Sequence, residues 1–469
     1  MEDDFEYGSA EDAKFSVARY EEMLRNQDQY FFDSSAFEGI IDYYIDKNDP
    51  AKALQVVGFA VNQHPFAAVF YLREAQLRAM TGQYDEALKA LDKAESLEPS
   101  EGEIALVKAG VLGSMGEYEE ALHYLEKALE NADQLDEVYL QIALLHQNQD
   151  RYDDAIKNLQ LSLQHNMENQ DALYELAYCY DFLGRQEESI AFYKQYIDTD
   201  PYSYAGWYNL GNAYHKLGKF AEAIDAYDYA ILIKENFASS YFNKGNALVN
   251  LEQYAEAIEV YKQTFEYEPP GAETYCAIGE CYEKLEKMDE ARAYYKKAVK
   301  LDSALGDAWF GIGVTLDFEE RYFEALHFYK KALELDNENP DYWFAIADAR
   351  YKLKQYEQAL DAYRKVVDLH PTDVEAWLDF SSVLYERSML NEAILIITEG
   401  LEHNPDASEL YYRIVAYLIA IGKYNEALGF LEKGLMLNPG KYPILFEYLP
   451  QLQGNKVILD IINRYRKGS

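Results

Sequence analysis

Apolar and small side chains recur along this chain at helical spacing, nested inside a longer period. An aromatic residue, a short step to Glu-Ala, one helical turn and then an aromatic or Leu make a motif that returns without insertion. Its small residue falls at Ala53, Ala87, Ala121, Ala155, Ser189, Ala223, Ala257, Ala291, Ala325, Ala359, Ala393 and Ala427, always 34 residues apart. With that residue as position 20 of a 34-residue frame, residue 34 becomes position 1 of the first repeat. Position 24 is apolar or aromatic throughout: Val57, Leu91, Leu125 and Leu159, then Tyr193, Tyr227, Tyr261, Tyr295, Tyr329 and Tyr363, then Ile397 and Leu431.

Spacings of three and four place positions 4, 7, 8 and 11 on one face of a helix, and positions 20, 24 and 27 on one face of the next. Each repeat is therefore predicted to be a helical hairpin. Trp207, Trp309, Trp343 and Trp377 all occupy position 4 and read as core residues. Position 8 is small through the middle of the chain, with Gly at 211, 245, 279 and 313, which allows two helices to approach closely. Proline at position 32, as in Pro65, Pro201 and Pro371, stops the second helix because it lacks an N–H and crowds the preceding turn. Pro269-Pro270-Gly271 is the strongest turn cluster and reads as a rigid turn or a hinge between repeats seven and eight.

This pattern resembles the tetratricopeptide-repeat (TPR) family, whose signature runs W-x2-L-G-x2-Y, then A-x3-F, then A and P over a 34-residue unit. Trp207, Leu210, Gly211, Tyr214, Ala223, Tyr227 and Ala230 carry it most completely. The resemblance implies an all-α fold, a right-handed superhelical solenoid of helix-turn-helix hairpins. It spans twelve contiguous repeats over residues 34–441. Residues 1–33 form an acidic N-terminal segment with a capping helix expected on Phe15, Ala18, Arg19, Glu22 and Met23. Residues 442–469 form a degenerate thirteenth repeat, interrupted by Pro450 and with Ile461 at position 20, and a C-terminal capping helix. The chain also resembles long cytosolic bacterial proteins made of TPR repeats alone, from which no chemistry carries over.

Composition narrows the function. The net charge of -40, from 83 acidic and 43 basic residues, repels phosphate backbones, so nucleic acid is excluded as a partner. The charge serves solubility or favours a basic partner. No stretch reaches the ~18 apolar residues of a membrane span, and the acidic start lacks the basic and apolar regions of a secretory signal. A cytoplasmic protein without membrane insertion is expected. Cys179, Cys276 and Cys281 build neither a disulfide framework nor a zinc site. No HExxH, phosphate loop or nucleophile elbow occurs, and the histidines are scattered. No enzyme activity, cofactor or metal is expected.

The resemblance further implies that first-helix positions 2, 5, 6, 9, 12 and 13 face a concave groove. Position 5 carries no charge from Leu72 to Tyr412, which predicts an apolar and aromatic ribbon that anchors a protein or peptide partner. The candidate site is the middle of the array: Tyr174, Tyr178, Tyr208, Phe242, Phe310 and Phe344, with Asn209, Asn212, Asn243 and Asn246 resembling an asparagine ladder that holds a peptide backbone. No repeat pairs Lys at position 5 with Asn at position 9, so capture of a C-terminal carboxylate by the family's Lys-Asn clamp is not expected. The alternative is a structural scaffold or homo-oligomer acting through its convex face or its ends, around Phe31, Phe32 and residues 444–449.

Overall fold

The computed structural model describes residues 3–27, 29–99, 102–130 and 134–466. Among the described residues it contains 27 α-helices, three short 3-10 turns and no strand. The chain divides into two compact units, Met1–Glu235 and Asn236–Ser469. Within each, consecutive helices pack pairwise as hairpins, making a solenoid of repeats. The division falls where repeat six passes into repeat seven and not at Pro269-Pro270-Gly271. That cluster instead shortens the helix before it, which runs Tyr254–Gln263 and ends in a 3-10 turn, Thr264–Glu266.

The frame read from the sequence is kept closely. Second helices begin at position 17 in every repeat, from Pro50 to Tyr424, and most run to position 30. Position 20 is buried throughout, as is position 24. Between the two helices the residue at position 15 has positive φ in all twelve repeats, although only Gly82, Gly116, Gly184, Gly218 and Gly422 are glycine. The others are Asn48, Asp150, Glu252, Glu286, Glu320, Lys354 and Ser388. The left-handed step lets the N–H of position 16 donate to the carbonyl of position 11, as Gln83 does to Arg78 at 2.8 Å and Lys287 to Tyr282 at 2.9 Å. This six-to-one bond satisfies carbonyls that a helix end otherwise leaves open. Hairpin closure thus imposes a conformation that disfavours L side chains at seven positions.

Position 4 departs in part from its reading as core. Phe37, Leu173, Tyr241 and Trp377 are buried there, but Trp207, Trp309 and Trp343 are half-buried. Each indole N–H donates to a backbone carbonyl six residues earlier: Pro201, Ser303, Asn337 and Pro371, at 2.9 to 3.0 Å. Tyr71 and Tyr411 do the same to Pro65 and Pro405. Each ring thereby pairs its polar group, whether buried as Trp377 is or half-buried as the others are, and ties the end of one hairpin to the start of the next.

The end segments also depart from the predicted faces. The N-terminal helix, Asp3–Asn26, buries Val17, Tyr20 and Met23, whereas Phe15, Ala18, Arg19 and Glu22 are exposed. Tyr20 sets this face by packing edge-on to Phe32 and Phe59. At the other end, Pro450 opens a 3-10 turn, Pro450–Gly454, and the helix Lys456–Arg466 buries Ile458 and Ile462 rather than Ile461. The turn breaks the 34-residue register. Among the described residues no helix is long and apolar enough to cross a membrane.

Two substitutions test these backbone and packing assignments. Glu286→Gly should raise stability by about 1 kcal/mol, because glycine adopts the left-handed region without steric cost; a lowered thermal midpoint would show that the side chain contributes more than the backbone loses. Gly211→Ala should lower stability by about 1 to 3 kcal/mol, although alanine is the better helix former. A Cβ there would lie 2.5 Å from the Tyr227 ring. Adding Tyr227→Leu should recover part of the loss, and an unchanged midpoint for the single variant would contradict the assignment.

Candidate functional site

In repeats six to nine, glycine at position 8 faces tyrosine at position 24, and a Cβ at any of the four would collide with that ring. The close approach carries the tyrosine hydroxyl across the hairpin to polar residues of the first helix. Tyr227 donates to Asn212 Oδ1 at 2.9 Å and Tyr261 to Asn246 Oδ1 at 2.6 Å. Tyr295 donates to Glu283 Oε2 at 2.8 Å and Tyr329 to Asp317 Oδ2 at 3.5 Å. Repeat five has Ala177 at position 8, and there the Tyr193 hydroxyl bonds the Leu173 carbonyl instead. Burial raises the pKa of Tyr227's counterparts Tyr261, Tyr295 and Tyr329 far above any physiological pH, so they act as neutral donors.

In the first unit, the first helix of repeat five (Gln170–Phe182) leaves an aromatic stripe open at positions 5, 9 and 13. Tyr174, Tyr178 and Phe182 are 70%, 47% and 59% exposed. Tyr178 and Phe182 lie 6.2 Å apart, and Tyr152 stacks on Phe182 at 4.3 Å. Spacings of four put the three rings along one side of the helix. A separate hollow of about 330 Å³ lies among second-helix residues of repeats four and five, including Gln160, Phe192 and Tyr196.

In the second unit, the same three positions of repeat nine (first helix Gly306–Phe318) carry Phe310, Val314 and Phe318. They line a hollow of about 680 Å³ with Phe344 and Ala345 of the next first helix (Pro340–Lys352). Asp317, Glu320, Asp341 and Asp348 add four carboxylates to its wall against one cation, Lys352. Phe310 packs between Tyr329 and Tyr342, at 5.4 and 5.0 Å. Three acids outside its lining have raised pKa values. Burial, with Asp307 and Glu283 adding like charge, raises Glu280, and burial raises Glu283. Asp379 is pushed up to about 6 by burial and then by Glu375, Asp348 and Asp373, against the opposing charge of Arg413. Among the described residues no three His, Cys, Asp or Glu side chains gather as a metal site.

Models of the tetratricopeptide repeat match residues 39–103, 140–204, 204–237, 242–305, 319–382 and 350–418. The chain belongs to the tetratricopeptide-repeat family. A model described as anaphase-promoting complex, cyclosome, subunit 3 matches residues 80–162. Among solved structures, the chain is similar to the APC/C hetero-tetramer Cut9–Hcn1, with 15% identity, TM-score 0.43, and coverage of 84% of this chain and 90% of that one. It is also similar to YrrB, described as a TPR protein with an unusual peptide-binding site, at 22% identity and TM-score 0.34 over 42% of this chain and 97% of that one. MamA matches at 18% identity and TM-score 0.32 over 36% of this chain and 92% of that one. No curated protein sequence matches the chain.

The TPR register places the expected site residues unevenly. Position 5 is not a continuous open ribbon: Leu72, Leu140, Cys276 and Tyr412 are buried, and Tyr208, Phe242, Phe310 and Phe344 are half-buried. The aromatic ones lean on the position-24 tyrosine of their own repeat, as Phe242 does on Tyr261 at 5.5 Å and Tyr208 on Tyr227 at 6.0 Å. Asn209 and Asn243 are half-buried. Asn212 and Asn246 each spend their side-chain carbonyl on a tyrosine of their own hairpin, so as acceptors they are already engaged. Tyr174 and Tyr178 are exposed. Sequence reasoning missed Phe182 and Phe318, although both sit at position 13 and continue a spacing of four from residues 178 and 314. It also missed the acidic wall around Phe344.

The pKa of Asp379 gives a signed prediction. A folded-state value of about 6, above the ordinary 3.8, means that the ionised carboxylate weakens the fold at neutral pH. The penalty is relieved as pH falls through about 6 toward the unfolded value of about 4. Asp379→Asn should therefore raise the thermal midpoint at neutral pH, with the advantage shrinking on acidification and gone below about pH 4. A pH-independent advantage would assign the effect to packing.

Proposed function

We propose that this TPR protein is an interaction scaffold that acts by binding rather than catalysis and holds segments of partner proteins along its first-helix face. The observation that carries this reading is the aromatic stripe Tyr174, Tyr178 and Phe182 that the first helix of repeat five leaves open at positions 5, 9 and 13, with Phe318 open at position 13 of repeat nine beside half-buried Phe310 and Val314. Rigid aromatic side chains supply large contact area at little entropic cost and dominate interface energetics. A contiguous open aromatic stripe of this kind also exceeds the scattered apolar exposure of an ordinary surface.

Self-association through the ends has less to stand on. Of the residues assigned to that role, Phe32, Leu445 and Leu449 are buried within the chain, while Phe31 remains exposed. The net charge of -40 also opposes the approach of a second copy.

For a partner identified by cross-linking to the wild-type chain, Tyr178→Ala with Phe182→Ala, or Phe318→Ala with Phe344→Ala, should weaken binding by about 2 kcal/mol, roughly thirtyfold, without unfolding the helices. Titration calorimetry reads the effect. Affinity unchanged in both double variants would move binding off the first-helix face.

A further inference from the structure

Within the hollow of the second unit, one cation already sits between two acids. Lys352 Nζ donates to Asp317 Oδ1 at 2.8 Å and to Asp348 Oδ2 at 2.7 Å, and it lies 5.2 Å from the centre of the Tyr322 ring. Lys352 is the last residue of its helix, and its side chain is 35% exposed. Burial works against its charge, but the hydrogen bonds to Asp317 and Asp348 outweigh burial, and its pKa is raised. It therefore stays protonated and neutralises part of the acidic wall in the unbound protein.

We propose that this hollow takes an arginine or lysine side chain of a basic partner segment in the place that Lys352 holds, so that Lys352 is an internal stand-in which the partner displaces. The inference rests on the first-helix face being the binding face. Charge complementarity selects the occupant: four carboxylates line the hollow against one lysine, with Phe310, Phe318 and Phe344 beside them. A guanidinium suits both features, since its planar fork matches carboxylates and its face stacks on aromatic rings. Lysine on a flexible four-carbon stem makes only point contacts and can swing outward from a helix end. A bare metal ion lacks a third ligating side chain among the described residues.

The test uses the full chain and a fluorescein-labelled peptide of alternating arginine and glycine, with a citrulline counterpart that keeps shape and loses charge. Fluorescence anisotropy should show the arginine peptide binding, weakening with added salt, and the citrulline peptide failing to bind. Lys352→Met, which keeps the stem beside the Tyr322 ring, should bind the arginine peptide more tightly by on the order of tenfold, while Asp348→Asn should weaken it by a similar factor. Circular dichroism on each variant confirms that the helices remain. If Lys352→Met binds no more tightly than wild type while Asp348→Asn still weakens binding, displacement is overturned and the binding face stands. If both peptides bind alike and Phe344→Ala abolishes both, the basic partner is overturned and the face again stands. Arginine-peptide binding indifferent to Asp348→Asn and Phe344→Ala overturns the site itself.

Discussion

The close seam between positions 8 and 24 governs the rest of the molecule. A repeat can set its two helices this near only if the residue facing position 24 is small. Where that residue is glycine, the space is filled by a tyrosine ring whose hydroxyl emerges on the other side of the first helix. One packing choice thereby reaches the first-helix face proposed for binding: Asn212, Asn246, Glu283 and Asp317 are each held by such a hydroxyl. Repeats two to four fill the same seam with alanine and leucine and have no hydroxyl to send across. Because positions 7, 8 and 11 are committed to the seam, what the protein presents outward from its first helices falls to positions such as 9 and 13, with position 5 joining them where it is open, as at Tyr174.

Much of this is legible in the sequence. A period kept without insertion places Ala53 and Ala427 in the same environment, and both are buried. Helix starts, proline stops and the core stripe follow from that register because apolar spacing and backbone hydrogen bonding are local constraints. The left-handed turn at position 15 was not legible. Glu252, Glu286, Glu320 and Lys354 have no local preference for it, and the demand comes from closing the hairpin. The slot of the tryptophans is legible, but not their part in joining hairpins, because the indole N–H of each pairs with a carbonyl six residues earlier whether the ring is buried, as Trp377 is, or half-buried. The face of the N-terminal helix turned on tertiary contacts of Tyr20 that spacing alone does not specify.

The face proposed for binding was half legible for a physical reason. Tyr174 and Tyr178 could be named because they follow the family's concave positions. The acids that make the second hollow distinctive come from different positions in two repeats, and only packing brings Asp317 beside Asp348 and Lys352. Net charge alone pointed to a basic partner without a place. The structure adds a hollow in which carboxylates are concentrated among the rings of Phe310, Phe318 and Phe344.

The account stands or falls on which side chains a bound partner covers. Hydroxyl-radical footprinting of the full chain, with and without a cross-linkable partner, reads this directly from aromatic oxidation. The account predicts protection of Tyr174, Tyr178, Phe182 or Phe318 on first helices, with the exposed second-helix rings Tyr229 and Phe323 oxidised as before. Protection of Tyr229 and Phe323 with the first-helix stripes left open would contradict it.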